Sequence, residues 1–217
     1  MLKLYSFWRS SASYRVRIAL ALKKQEYEYI PIHLVQDGGQ QYKAEFTALN
    51  PQARVPLLVD GDFRIGQSLA ILDYLEAKLP QPALVPAEPQ ARARLLSFCH
   101  VIASDIQPLQ NTGPLKYMSE TLGIDEPRKD AWLRHWIERG LRALEQECAA
   151  LPLKDFVFGE SATWADCVLV PQVYNVDRFK CDTSGFPRLY ALARRLSVRP
   201  EFAAGNPDVQ PDAPRKP

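Results

Sequence analysis

At 217 residues the chain has room for one large domain or two small ones, and 47% apolar with 24% charged residues is ordinary for a globular protein. A formal net charge of +2 gives no broad basic or acidic surface, so nucleic acid and membranes are not expected partners. No apolar run approaches the roughly 20 residues of a transmembrane helix. The first residues lack the apolar core and cleavage site of a signal peptide. The cysteines (Cys99, Cys148, Cys167 and Cys181) and the scattered His33, His100 and His135 show no metal-ligand spacing. The expectation is a cytoplasmic protein without a metal, whose thiols are small core residues.

Residues 2–7 read as a strand and 11–24 as a helix. Residues 27–34 are β-rich, and Pro31 inside them marks an edge strand. A turn at Asp37-Gly38-Gly39 precedes a short helix over 41–49, which Asn50-Pro51 stops. Strands over 55–59 and 62–66 are joined by the hairpin signal Asp60-Gly61. Residues 68–78 form a helix with an apolar stripe at Leu69, Leu72 and Leu75. The order βαβαββα within about eighty residues is that of a thioredoxin-like α/β domain, placed at 1–80.

Prolines at 80, 82, 86 and 89 make 81–89 a stiff linker. From residue 90 to 217 the pattern is all helical. Helices are expected over 91–106, 128–150 and 187–196, with breaks near Pro108 and Gly113-Pro114. Thr163-Trp164-Ala165-Asp166 fits a capping box ahead of a further helix. The proline- and charge-rich tail from Pro200 is expected to be loosely ordered.

The candidate chemistry lies in Arg9-Ser10-Ser11-Ala12-Ser13-Tyr14-Arg15-Val16-Arg17-Ile18-Ala19-Leu20. Serines sit where the first helix starts. A serine oxygen there accepts a bond from an unpaired N–H of the first turn. The remaining free N–H groups and the positive end of the helix dipole suit an anion such as a carboxylate or thiolate. From this stretch alone, a plain cap and an anion site both stay open.

The stretch from Ser10 to Leu20 resembles the signature of the zeta class of glutathione transferases, usually Ser-Ser-Cys-x-Trp-Arg-Val-Arg-Ile-Ala-Leu. Six further segments are similar to zeta-class segments and come in the same order. They are Asp37-Gly38-Gly39-Gln40-Gln41, Ala48-Leu49-Asn50-Pro51, Val55-Pro56, Gln67-Ser68-Leu69-Ala70-Ile71, Ile106-Gln107-Pro108-Leu109-Gln110-Asn111 and Leu169-Val170-Pro171-Gln172-Val173. The likeness spans about residues 2–212. Two positions depart from the signature: Ala12 replaces the usual cysteine and Tyr14 the usual tryptophan. The alanine removes a protein thiol, which argues against glutaredoxin-like chemistry, and leaves the serine hydroxyl in place.

The resemblance implies a homodimer that uses glutathione to isomerise a dicarboxylate maleyl keto acid, such as maleylacetoacetate or maleylpyruvate, from cis to trans. The glutathione thiolate adds to the activated double bond, the resulting single bond rotates, and elimination regenerates the thiol, which is nucleophilic catalysis by a borrowed sulfur. Ser10 is the implied catalytic hydroxyl, with Ser11 capping the helix or sharing that role. A donated hydrogen bond and the helix N–H groups both favour the thiolate. Val55, ahead of an expected cis proline, is implied to pair with the glutathione backbone as an added strand would. Gln67 and Ser68, opening the third helix, are implied to hold the γ-glutamyl carboxylate. Gln41 is assigned the glycyl end, and Gln107 and Asn111 are expected to close over the tripeptide. Arg9 and Arg178 are the implied substrate anchors, since arginine grips a carboxylate in two-pronged fashion. Arg15 is expected near the site and Arg17 in a structural or interface ion pair. Two rival readings remain: a general glutathione transferase acting on small electrophiles, and a non-catalytic glutathione-binding protein.

Overall fold

A computed structural model describes residues 1–151 and 153–214. They fall into two units: Met1–Ala83 with the chain from Val198 onward, and Leu84–Ser197.

In the first unit, short β-rich runs alternate with amphipathic ones. The elements are β1 (Leu2–Ser6), α1 (Ser11–Leu22), β2 (Tyr27–Pro31), α2 (Ala44–Thr47), β3 (Leu57–Asp60), β4 (Phe63–Gly66) and α3 (Ser68–Lys78). The strands form one sheet in the order β2-β1-β3-β4. β1 runs parallel to β2 and antiparallel to β3, and β3 is antiparallel to β4. β2 lies at the edge, where its proline costs no central hydrogen bond. Period-2 alternation sends Leu2 and Leu4 to the same side as Leu58, where they meet Val16 and Leu20 of α1 and Ile71 and Leu75 of α3. Burying each of these side chains contributes about 1.5–3 kcal/mol. Tyr5, at an odd position of β1, packs instead on Phe46 of α2, with ring centroids 5.9 Å apart.

The hairpin differs from expectation. Asp60 still pairs with Phe63, so the loop is Gly61-Asp62, with Gly61 at a φ of 59°. The stripe of α3 is centred on Ile71, Leu72 and Leu75, and Leu69 is only half-buried. The helix expected over 41–49 is split into a 3-10 turn, Gln40–Tyr42, and the four residues of α2.

The domain limits also differ. Lys23, its side chain fully buried, donates to the carbonyls of Leu79 and Pro82 and pairs with Glu76 at 2.9 Å. These bonds keep residues 79–82 on the first unit and place the start of the expected linker there. The tail, expected to be loose and to belong to the helical domain, is instead ordered in the first unit. It forms a short helix, α9 below, and a 3-10 turn, Pro207–Val209. Phe202 is fully buried, and its carbonyl accepts the Tyr14 hydroxyl at 3.1 Å. Residues 215–217 of the expected second domain lie outside the described residues.

The second unit is helical: α4 (Pro89–His100), α5 (Thr112–Glu120), α6 (Glu126–Glu147), α7 (Trp164–Phe179) and α8 (Pro187–Ser197); the tail helix above is α9 (Pro200–Ala204). Every residue from Trp164 to Val173 is buried, which makes α7 the centre of this core. The helix expected over 91–106 changes winding at Val101 to a π-helix, Val101–Ile106, followed by a 3-10 turn, Gln107–Gln110. Caps define the starts: Glu88 accepts from the Gln90 and Ala91 amides, and Asp125 from the Arg128 amide at 3.0 Å.

Gly140 of α6 faces the π segment. A Cβ added there would lie 2.4 Å from Cδ1 and Cγ1 of Ile106. Gly→Ala inside a helix ordinarily gains up to about 1 kcal/mol, but overpacking costs about 1–3 kcal/mol. Gly140→Ala is therefore expected to destabilise the protein by about 1–2 kcal/mol in urea unfolding, and trimming Ile106 to alanine in the same chain should relieve part of that loss. A more stable Gly140→Ala protein would mean that the helix has room to shift.

Candidate active site

The first unit brings Ser10, Ser11, Gln41, Val55, Gln67, Ser68 and Arg9 to the loops and helix starts around its sheet. Ser10 is the N-cap of α1, with extended backbone angles, and its Oγ accepts the Ser13 amide at 3.2 Å. The first intrahelical bond is Tyr14 N–H to the Ser10 carbonyl. The N–H groups of Ser11 and Ala12 precede it, and they carry the positive end of the helix dipole. The cap occupies a lone pair of the Ser10 oxygen and leaves its O–H as a donor. Capping and donation to a thiolate are thus compatible in one side chain. Arg9 is half-buried and its guanidinium lies over the Trp8 ring, 5.3 Å from the centroid.

The Val55–Pro56 peptide bond is cis, as expected, just ahead of β3. Gln67, not Ser68, occupies the cap position of α3. It holds a left-handed φ of 65°, and its side chain donates to Gln52 Oε1 instead of capping. Ser68 is the first helical residue. Its buried Oγ accepts Nη1 of Arg15 at 3.1 Å, which leaves the hydroxyl proton available. Gln41 is buried, and its Nε2 donates to the Leu34 carbonyl at 3.3 Å. Its Oε1 is buried without a donor among the described residues. Gly39 makes room for it: a Cβ there would sit 2.7 Å from Gln41 Nε2, and its φ of 103° suits glycine alone.

Two arginines of α1 stand out. Arg15 and Arg17 are each 1% exposed. Arg15 is directed at the start of α3 through Ser68, adding positive charge to that helix end. Arg17 is not in the ion pair expected for it. It donates to the carbonyls of Gly205, Phe7 and Trp8 and to the Ser6 hydroxyl. Burial pushes its pKa below the ordinary value, partly offset by the nearby tyrosines and Asp212. Burial, then the hydrogen bond to Asp212, pushes the Tyr29 hydroxyl above its ordinary range. The sequence suggested a structural or interface ion pair for Arg17, where within this chain its hydrogen bonds go to carbonyls and a hydroxyl, and it gave no sign of Asp212. The one available signal was two arginines within the buried run 13–20.

In the second unit, Gln107 opens the 3-10 turn and donates to Asn111 Oδ1, and Asn111 holds the cap position of α5 without a side-chain cap. Arg178 is exposed on the last turn of α7, over the ring of Phe179 at 4.6 Å. No disulfide occurs among the described residues, and burial raises Cys148 to about 11 and Cys181 to about 12. No group of metal-ligating side chains occurs among the described residues.

A mixed βαβαββα sheet domain with a serine-capped first helix and a cis proline ahead of its third strand is a thioredoxin-like domain, followed here by a helical unit. Residues 1–77 match the family described as "Glutathione S-transferase, N-terminal domain", and residues 126–195 that described as "Glutathione S-transferase, C-terminal domain". The chain belongs to the glutathione transferase family. A maleylacetoacetate isomerase of Rattus norvegicus is 44% identical over 211 residues, covering 97% of this chain and 94% of that protein. The holo structure of a maleyl pyruvate isomerase, described as a bacterial zeta-class glutathione S-transferase, is 40% identical. It has a TM-score of 0.94 and covers 98% of this chain and 100% of its own. A maleylacetoacetate isomerase of Methylobacterium extorquens AM1, solved with malonate and glutathione bound, is 37% identical, with a TM-score of 0.92 and the same coverage. Within the family, the chain is a zeta-class member.

Proposed function

We propose that this protein is a glutathione-dependent cis–trans isomerase of maleyl keto acids. The observation that carries it is the start of α1, where a serine whose oxygen accepts the Ser13 amide stands with its O–H as a donor beside the first N–H groups of the helix. Three features of the chain suit glutathione. Gln41 Oε1 is a buried acceptor without a donor, matched to an amide N–H. Val55, at a cis bond just ahead of β3, lies outside the paired register of that strand. Ser68, backed by Arg15, opens α3 with positive charge for a carboxylate. Bound glutathione supplies a thiolate that adds to the activated double bond, so that rotation occurs about a single bond before elimination. Ser10 donates its hydroxyl proton to the sulfur and, with the Ser11 and Ala12 amides, holds it in the charged form. Arg9 offers a two-pronged site for a substrate carboxylate. For Ser11 as a second hydroxyl, and for Gln107, Asn111 and Arg178, the support is the resemblance alone. The same support assigns a homodimer. Cysteines without a disulfide among the described residues accord with a cytoplasmic setting, and no described helix is long and apolar enough to cross a membrane.

The test is conversion of maleylacetoacetate and of maleylpyruvate with and without glutathione. Isomerisation of at least one, strictly dependent on glutathione, is expected. No conversion of either, with turnover of a chloro-aromatic electrophile, would make the protein a conjugating transferase. Glutathione binding without either reaction would make it a binding protein.

A further inference from the structure

The turn that delivers Ser10 is held on every side, and one of the holds comes from the far end of the chain. Within Phe7–Ser10, the Ser10 N–H donates to the Phe7 carbonyl at 3.0 Å. Arg17 donates to the Trp8 carbonyl at 2.9 Å and to the Phe7 carbonyl at 3.3 Å. The Trp8 N–H donates to Asp212 Oδ2 at 3.0 Å, across 204 residues of sequence. The second carboxylate oxygen, Oδ1, accepts the Tyr29 hydroxyl of β2 at 2.6 Å. The same tail returns to the turn through Arg17, whose Nε donates to the Gly205 carbonyl at 2.9 Å. The tail thus anchors on the Phe7–Trp8 and Trp8–Arg9 peptide groups, on the first directly and on both through a buried arginine.

A tail that served only to cover the sheet could anchor on any surface. Here the carboxylate is split between a strand hydroxyl, which fixes the carboxylate, and the Trp8 amide, which the carboxylate then fixes. Two fixed peptide groups leave the Trp8–Arg9 peptide little freedom to rotate, and that rotation would carry Ser10 away from its neighbours at the start of α1. We propose that Asp212 is a positioning residue for Ser10, acting through the Trp8 amide to set where the serine hydroxyl stands. The proposal rests on the catalytic reading of Ser10. Displacement of a catalytic group by about 1 Å can cost as much as about 10²-fold in rate.

The test uses the full chain and four variants: Asp212→Ala, Asp212→Asn, Tyr29→Phe and Ser10→Ala. Three readouts are taken: kcat and KM for glutathione, the thiolate absorbance of bound glutathione against pH, and hydrogen exchange at the Trp8 and Ser10 amides without ligand. Asp212→Ala is expected to lower kcat about tenfold at an unchanged folded fraction, to raise the pH at which bound glutathione ionises, and to speed exchange at both amides. Asp212→Asn keeps an oxygen for the Trp8 amide and should restore most of the rate, which a role by charge alone would not allow. Wild-type kcat and thiolate ionisation in a folded Asp212→Ala protein would overturn the proposal, as would equal losses in the alanine and asparagine variants. If Asp212→Ala does not fold, Tyr29→Phe, which releases one carboxylate oxygen, decides in the same way. If Ser10→Ala keeps full activity, it is the catalytic reading of Ser10 that fails; faster amide exchange in Asp212→Ala would still report the hold on the turn.

Discussion

Ser10→Ala should lower glutathione-dependent isomerisation by about 10²- to 10³-fold, the usual cost of removing one preorganised donor to a developing or stabilised anion. The variant also loses a cap, because Ser10 Oγ accepts the Ser13 amide, and that costs about 0.5–2 kcal/mol of stability. The two losses must be separated. Ser10→Gly does so: glycine is nearly as good a cap, a few tenths of a kcal/mol below serine, but it carries no hydroxyl. If the hydroxyl stabilises the thiolate, alanine and glycine variants lose activity together while differing in melting temperature. If Ser10 only caps, the glycine variant keeps the rate. Absorbance of bound glutathione gives a second reading, since loss of the donor should raise the pH at which the thiolate forms. Full activity in both variants would move the role to Ser11 or to the backbone amides.

That Ser10 can be read from sequence while its supports cannot follows from distance along the chain. A cap is local: Ser10 meets Ser13 three residues on, and the serines stand just before an apolar run. The β3–β4 hairpin is likewise local in origin, from the turn signal after Asp60. Its turn was displaced by one residue because Asp60 still pairs across the hairpin. Arg17 and Asp212 are different. Arg17 reaches Gly205 across 188 residues and Asp212 reaches Trp8 across 204, and neither acts through an ion pair that charge patterning would suggest. Most of their partners are backbone groups, which every residue possesses, so little in the sequence singles them out. The tail read as loose because it is rich in proline and charge; its order comes from Phe202 and a few such bonds. The π-helical stretch after α4 is hidden for a related reason. Val101–Ile106 has helical periodicity, which does not separate π from α winding.

Asp166→Ala is expected to destabilise the protein by about 3–5 kcal/mol at neutral pH, because it strands three donors in the core at about 1–3 kcal/mol each. Asp166 is fully buried at the start of α7, the central helix of the second unit. Its Oδ1 accepts the Val157 amide at 2.9 Å, and its Oδ2 accepts the amide and hydroxyl of Thr163 at 2.8 and 3.0 Å. Alanine would leave these donors without an acceptor in the core. In a chain of this size the melting temperature should fall by roughly 6–20 °C. The pH dependence then tests which force dominates at the carboxyl. Burial favours the neutral acid, and the donated hydrogen bonds favour the anion; burial is larger and raises the pKa to about 6. The ordinary value in an unfolded chain is about 3.9. The folded state therefore binds the proton more tightly, so the corresponding stability is fully present below about pH 4 and is lost as pH rises through about 6. By linkage it amounts to about 3 kcal/mol. The gap in unfolding free energy between wild type and Asp166→Ala should accordingly be widest at and below about pH 4, narrow as pH rises from about 4 to 6, and level off by pH 7. A gap that widens with pH would show that the donors from Val157 and Thr163 outweigh burial and hold the carboxyl ionised.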